Sequence, residues 1–242
     1  MNLISFSERV QRVIVEEGHR AGITVQCHTT SPESLDMAIE AGVDIITHGD
    51  ISGPVQQIPM ETIRKLADRG IGVSVLSVTN KRLAALQKDA PNSILTPYKK
   101  VARENLKNMI KAGVRVLVST DAGVEHPVLL AESQTLIVDT VDSRTKLGEG
   151  HFNAIQGLEE AGMAPMEVLK SATSHIARAY KMDKDLGTIE VGKVADLVIL
   201  DANPLESARN YRRINSVIKD GKVVNLAALP VAPVISSQKV MP

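Results

Sequence analysis

Along residues 1–122, stretches with apolar positions at helical spacing run into a glycine, and a short apolar segment follows each time. Ala21-Gly22 leads into Ile23 to His28, Ala41-Gly42 into Val43 to His48, Arg69-Gly70 into Ile71 to Val75, and Ala112-Gly113 into Val114 to Asp121. Val10, Val13 and Ile14 share a face of a helix predicted over Ser7 to Glu17, ended by Gly18 to Gly22. Ser31-Pro32 offers a capping hydroxyl and a first-turn proline for a second helix, with Leu35, Ala38 and Ile39 on one face and Gly42 as the stop. Met60 to Asp68 groups Ile63, Leu66 and Ala67, and Lys99 to Lys111 groups Ala102, Leu106, Met109 and Ile110. Four near-continuous apolar strands alternating with helices predict a parallel sheet covered by helices.

The pattern loosens between Ser77 and Thr96, a longer connection with Lys81, Arg82 and Pro91. Connections at the C-terminal ends of parallel strands often hold substrate contacts, so it reads either as a pocket wall or as a surface excursion. Leu129 to Thr140, Phe152 to Ala161 and Pro165 to Tyr180 read as helices. From Gly187 the pattern turns to short β-type runs: Gly187 to Glu190, Ala195 to Leu200, Ile214 to Lys219 and Lys222 to Val224. Glycines and Asn203-Pro204 punctuate them, which predicts a small sheet. Leu226 to Pro242 carries three prolines beyond Leu229 and is expected to be extended.

Composition narrows the function classes. The chain has 242 residues, 43% of them hydrophobic, enough for a substantial core. Lysine plus arginine and aspartate plus glutamate both number 28, so charge gives no reason to expect nucleic acid or an anionic membrane as partner. The single cysteine, Cys27, leaves no internal disulfide and reads as a small buried hydrophobe. With neither a signal-type N-terminus nor an apolar run of membrane length, a soluble chain in the cytoplasm is expected.

Candidate chemistry sits at the strand ends. Of six histidines, His19 and His175 lie on predicted helices and read as ordinary residues, whereas His28 and His48 each end a repeat strand. Asp121 ends a third, in Val118-Ser119-Thr120-Asp121-Ala122-Gly123. Simple alternation puts Thr24, Gln26 and His28 on the inward side, and likewise Asp44, Ile46 and His48, and Leu117, Ser119 and Asp121. An unpaired buried carboxylate costs several kcal/mol. A bound ion would offset that cost. Two imidazoles and a carboxylate suit zinc, manganese or iron(II) better than calcium. The alternative is a set of polar strand-end residues hydrogen bonded to loops.

These residues carry a family resemblance. His28 in Val25-Gln26-Cys27-His28-Thr29, His48 in Ile46-Thr47-His48-Gly49, and Asp121 resemble the ligands after barrel strands five, six and eight of the amidohydrolase superfamily. Its imidazolonepropionase-like and Xaa-Pro dipeptidase-like branch is the nearest in flavour. Ala172-Thr173 with Ala177, the block Leu186 to Asp201, and Val217-Ile218-Lys219-Asp220-Gly221-Lys222-Val223 resemble the passage from barrel to β-sandwich in these enzymes. The resemblance covers residues 8 to about 225.

What it implies is an α/β fold: the C-terminal half of a TIM-like (β/α)8 barrel, strands five to eight with their helices, plus part of a small β-sandwich. Residues 1–184 would form the half-barrel, 185–225 the sandwich part and 226–242 an extended tail. Family members also carry His-x-His on strand one and a lysine or glutamate on strand four; this sequence holds no His-x-His. The implied activity is hydrolysis of a C–N bond in a small amide, dipeptide or cyclic amide, or of an ester, by water activated on a divalent metal, zinc foremost. Metal binding lowers the pKa of water to about 7. His28, His48 and Asp121 match metal ligands, and Asp121 also matches the residue that takes the proton from the nucleophile and returns it to the leaving group. His126, His151 and Tyr98 are candidates for substrate contact. Three ligands without the strand-one pair form an open site, and a four-stranded parallel sheet exposes two edges. Association with a second copy or with a separate N-terminal half is therefore expected. The alternative is a truncated, non-catalytic fragment.

Overall fold

The computed structural model describes residues 6–50, 55–89, 95–122, 142 and 148–229. The first part alternates helix and strand: α1 (Glu8–Arg20), β1 (Gln26–His28), α2 (Pro32–Ala41), β2 (Ile45–Thr47), α3 (Met60–Asp68), β3 (Gly72–Val75), α4 (Asn80–Asp89), α5 (Leu95–Lys111) and β4 (Arg115–Val118). Among the described residues three helices follow, α6 (Gly150–Glu160), α7 (Pro165–Ser171) and α8 (Ser174–Ala179). The strands form one parallel sheet in the order β1-β2-β3-β4, an α/β arrangement consistent with part of a (β/α)8 barrel.

The helix ends explain the segmentation. Ser31 Oγ accepts the Ser34 N–H at 3.2 Å, and Ser34 Oγ accepts the Ser31 N–H at 3.1 Å, closing a capping box around Pro32. At the other end Gly42 takes φ 86° and donates to the Ala38 and Ile39 carbonyls, a left-handed cap that suits glycine. Leu35, Ala38, Ile39 and Ala41 are thereby buried against the sheet.

The sheet has two different faces. Cys27, Ile46, Val73, Val75, Val116 and Val118 join Leu35, Ile39, Ile63, Leu66, Leu106, Met109 and Leu158 in the main core. Gln26, His28, Ile45, Thr47, Gly72, Ser74, Arg115 and Leu117 alternate with them on the other face. There Ile45 and Leu117 pack on Ala179 and Ile176 of α8, and Gln26 donates to Thr47 Oγ1 at 2.7 Å while accepting from the Tyr180 hydroxyl at 2.8 Å.

Several sequence expectations are corrected. Helix α1 runs on to Arg20, because Gly18 stays helical and leaves room for Val25, whose Cγ2 lies 2.5 Å from where a Cβ would stand. The buried residue of α1 is Val15, while Val10, Val13 and Ile14 are exposed. The connection after Ser77 carries a helix that was not expected: Thr79 Oγ1 accepts the Arg82 N–H at 3.1 Å and starts α4, which packs on α5. Pro165 to Tyr180 is two helices, broken at Ala172-Thr173, where the Thr173 hydroxyl turns back to the Leu169 carbonyl at 2.8 Å. Cys27 is only partly buried, and burial raises its thiol pKa.

The chain then builds an antiparallel sheet, β5 (Leu197–Leu200), β6 (Ile214–Lys219) and β7 (Lys222–Val223). Gly187 to Glu190 is not a strand; Lys193 ties this turn by donating to the Asp183 carbonyl and Thr188 Oγ1. Leu226–Ala228 forms a short 3-10 turn rather than extended chain. The helix expected over Leu129 to Thr140, and the tail from 230 onward, lie outside the described residues. Among the described residues no helix is long and apolar enough to cross a membrane.

Candidate metal centre

His28 is the last residue of β1, His48 follows β2 directly, and Asp121 lies just past β4. In a parallel sheet these positions share one end. The His28 and His48 ring centroids are 4.4 Å apart, and His48 Nε2 is 3.7 Å from Asp121 Oδ1. Two groups bound to one tetrahedral zinc at about 2.0 Å each would stand roughly 3.3 Å apart, so the second pair needs only a small adjustment to share an ion.

Backbone conformation brings them together. His48 has φ 59° and Asp121 φ 56°, left-handed values that cost a non-glycine residue about 1–2 kcal/mol. Alternation alone would have grouped Asp44, Ile46 and His48. Instead, Ile46 is fully buried in the helix-side core. Asp44 lies at the opposite end of β2, where burial works against ionisation but the Val25 N–H at 2.8 Å and His19 Nε2 at 2.9 Å outweigh it, so its pKa falls. The left-handed turn after Thr47 is what directs His48 toward His28. Such strain concentrates at functional positions.

A buried network holds that turn. The Gly49 N–H donates to the Ser74 carbonyl at 3.1 Å, and a Cβ on Gly49 would fall 2.4 Å from Val73 Cγ1. Asp50, 1% exposed, accepts the Leu76 N–H at 3.1 Å on Oδ1, while its carbonyl accepts from Asn105 Nδ2 at 3.1 Å. Asn105, fully buried, accepts the Ile58 N–H at 2.9 Å. Neither residue was singled out from sequence. The available signal was a polar Asn105 on the apolar stripe of Ala102, Leu106 and Met109.

The other candidates fall differently. Tyr98 is half-buried on α5; burial first, and then the Asp50 carboxylate, raise its pKa, which sets it beside the turn after His48. His151 is on α6, its ring 3.9 Å from that of Phe152 beside Arg212; burial, then Arg212, lower its pKa. His126 lies outside the described residues. His175 contacts the Val116 carbonyl at 3.4 Å.

The donor set of two imidazoles and a carboxylate fits a divalent transition ion. The contacts are pairwise, His28 with His48 and His48 with Asp121; among the described residues no three His, Cys, Asp or Glu side chains stand close enough to enclose one.

Known proteins share this architecture. Molinate hydrolase superposes with a TM-score of 0.84 at 36% identity, over 96% of this chain and 49% of its own. Phenylurea hydrolase B also gives 0.84, at 33% identity, over 96% and 50%. The imidazolonepropionase of Geobacillus sp. (strain WCH70) is 27% identical over 225 residues, 90% of this chain and 44% of that protein. The ochratoxinase of Aspergillus niger is 26% identical over 230 residues, 92% and 42%. The chain thus spans about half the length of these relatives, two of which are hydrolases by name. The model of the amidohydrolase family matches residues 4–224, and this chain belongs to that family.

Proposed function

We propose that this chain supplies the second half of a metal-dependent amidohydrolase that cleaves a C–N bond of a small amide, dipeptide, cyclic amide or urea, or an ester bond. Residues 1–184 would carry barrel strands five to eight, 185–225 part of the β-sandwich, and 226–242 a tail. The observation that carries the reading is the pair of contacts, His28 with His48 and His48 with Asp121, at one end of a parallel sheet.

His28, His48 and Asp121 would hold the ion, zinc in first place. Bound there, the ion would acidify water and polarise the scissile carbonyl. Asp121, with a 32% exposed side chain, is open enough to accept a proton from attacking water and deliver it to the departing nitrogen. His48, 12% exposed and fixed by its turn, keeps its Nε2 directed at Asp121. Tyr98, His126 and His151 are the proposed substrate contacts.

Two features support a need for completion. β1 and β4 each pair on one side only among the described residues, and Val198 and Val223 of the antiparallel sheet are 57% and 72% exposed. Unpaired edges and bare apolar strands favour association, with a second copy or a separately supplied first half, in a cytoplasmic setting. The relatives' names point to small organic substrates.

The test is hydrolysis of amide, dipeptide, phenylurea and ester panels by the zinc-loaded chain, alone and mixed with the polypeptide encoded directly upstream. Turnover of at least one amide-type substrate in either preparation is expected. No turnover in both would contradict the proposal and favour a non-catalytic fragment.

A further inference from the structure

At the other end of the parallel sheet a cavity of about 240 Å³ opens between the lead-ins to β2, β3 and β4 and the end of α8. Asp44, Arg69, Gly70, Arg115, Arg178 and Lys181 line it, four cations against one carboxylate. The charges do not cancel. Asp44 is committed to the Val25 N–H, to His19 and to Lys181 Nζ at 3.4 Å. Arg69 is committed to Glu40 at 2.7 Å and to the Ile39 carbonyl. Arg115 and Arg178 make no ion pair among the described residues. They also oppose each other: burial first, and then the Arg178 charge, lower the Arg115 pKa.

Two guanidinium groups facing each other with no counter-charge repel, and an anion between them would relieve that repulsion. Each guanidinium presents forked N–H donors that match an oxyanion in bidentate fashion. Gly70 keeps the wall low beside them: a Cβ there would lie 3.5 Å from Arg115 Nη2, and its φ of 64° disfavours any larger residue. The volume is below the roughly 300–1,000 Å³ of pockets for drug-sized molecules, so a small ligand fits. We propose that this cavity is a second binding site, remote from His28, His48 and Asp121, for a small phosphate-type oxyanion held between Arg115 and Arg178.

The site goes beyond the hydrolase reading and does not depend on it. Its test is the melting temperature of the chain titrated with inorganic phosphate, at ionic strength held constant with sodium chloride. A saturable rise is expected in the wild type and in the H28A/H48A variant. In R115Q/R178Q the half-saturating phosphate concentration should increase at least tenfold. Should that double variant fail to fold by circular dichroism, R178Q alone, altering an exposed residue, should still weaken binding several-fold. Four results would overturn the proposal. The first three are no rise beyond chloride, a rise unchanged by the arginine substitutions, and a rise abolished in H28A/H48A, which would put the phosphate at the strand-end cluster. A fourth is loss of self-association or of binding to the upstream polypeptide in R115Q/R178Q with no phosphate effect. That would assign the arginines to carboxylates of a protein partner.

Discussion

Replacing Asp121 by asparagine is expected to lower kcat by about 10²–10⁴-fold in the assembly that turns over an amide, the usual range for loss of a positioned acid or base. The substitution keeps shape and one oxygen, so the left-handed turn at φ 56° and the approach to His48 Nε2 can persist. What it removes is the capacity to carry a proton. KM should change little, since the proton is in flight only in the transition state. A purely ligating Asp121 would behave differently, with kcat restored by excess zinc. An unchanged kcat would contradict the assignment.

Asn105→Ala should destabilise the fold by about 2–4 kcal/mol, because it leaves two buried backbone groups unpaired at roughly 1–3 kcal/mol each. Those groups are the Ile58 N–H and the Asp50 carbonyl, on either side of the segment that leaves His48. Asn105 is fully buried, so water cannot substitute without opening the packing of Leu106 and Met109 beside it. Urea unfolding should show a lower midpoint with an unchanged slope. A loss under about 0.5 kcal/mol would mean that the network contributes little to holding the turn.

How much was legible in the sequence follows from where the physical signal lay. α2 was readable because its signals are local: Ser31-Pro32 at one end, Gly42 at the other, and apolar residues between at helical spacing. His28 was readable as the end of an apolar run. The orientation of His48 was not, because alternation presumes extended dihedrals and the chain turns left-handed after Thr47. α4 was hidden by Lys81, Arg82 and Lys88 in a short polar segment, where the deciding contact is one capping hydroxyl on Thr79. The face of α1 was misjudged because Val10, Val13 and Ile14 outnumber Val15, which alone meets the core. Asp50 with Asn105, and Arg115 with Arg178, are tertiary pairings, and nothing local marks them as neighbours.

In the proposed site His28 and His48 hold one divalent metal ion together. Metal content after zinc loading and gel filtration, for the wild type and for H28A/H48A, tests it most directly. Close to one equivalent of zinc is expected in the wild type, or in its complex with the upstream polypeptide, with loss of that zinc in the folded double variant. Zinc absent from both wild-type preparations, or retained in full by the double variant, would contradict it.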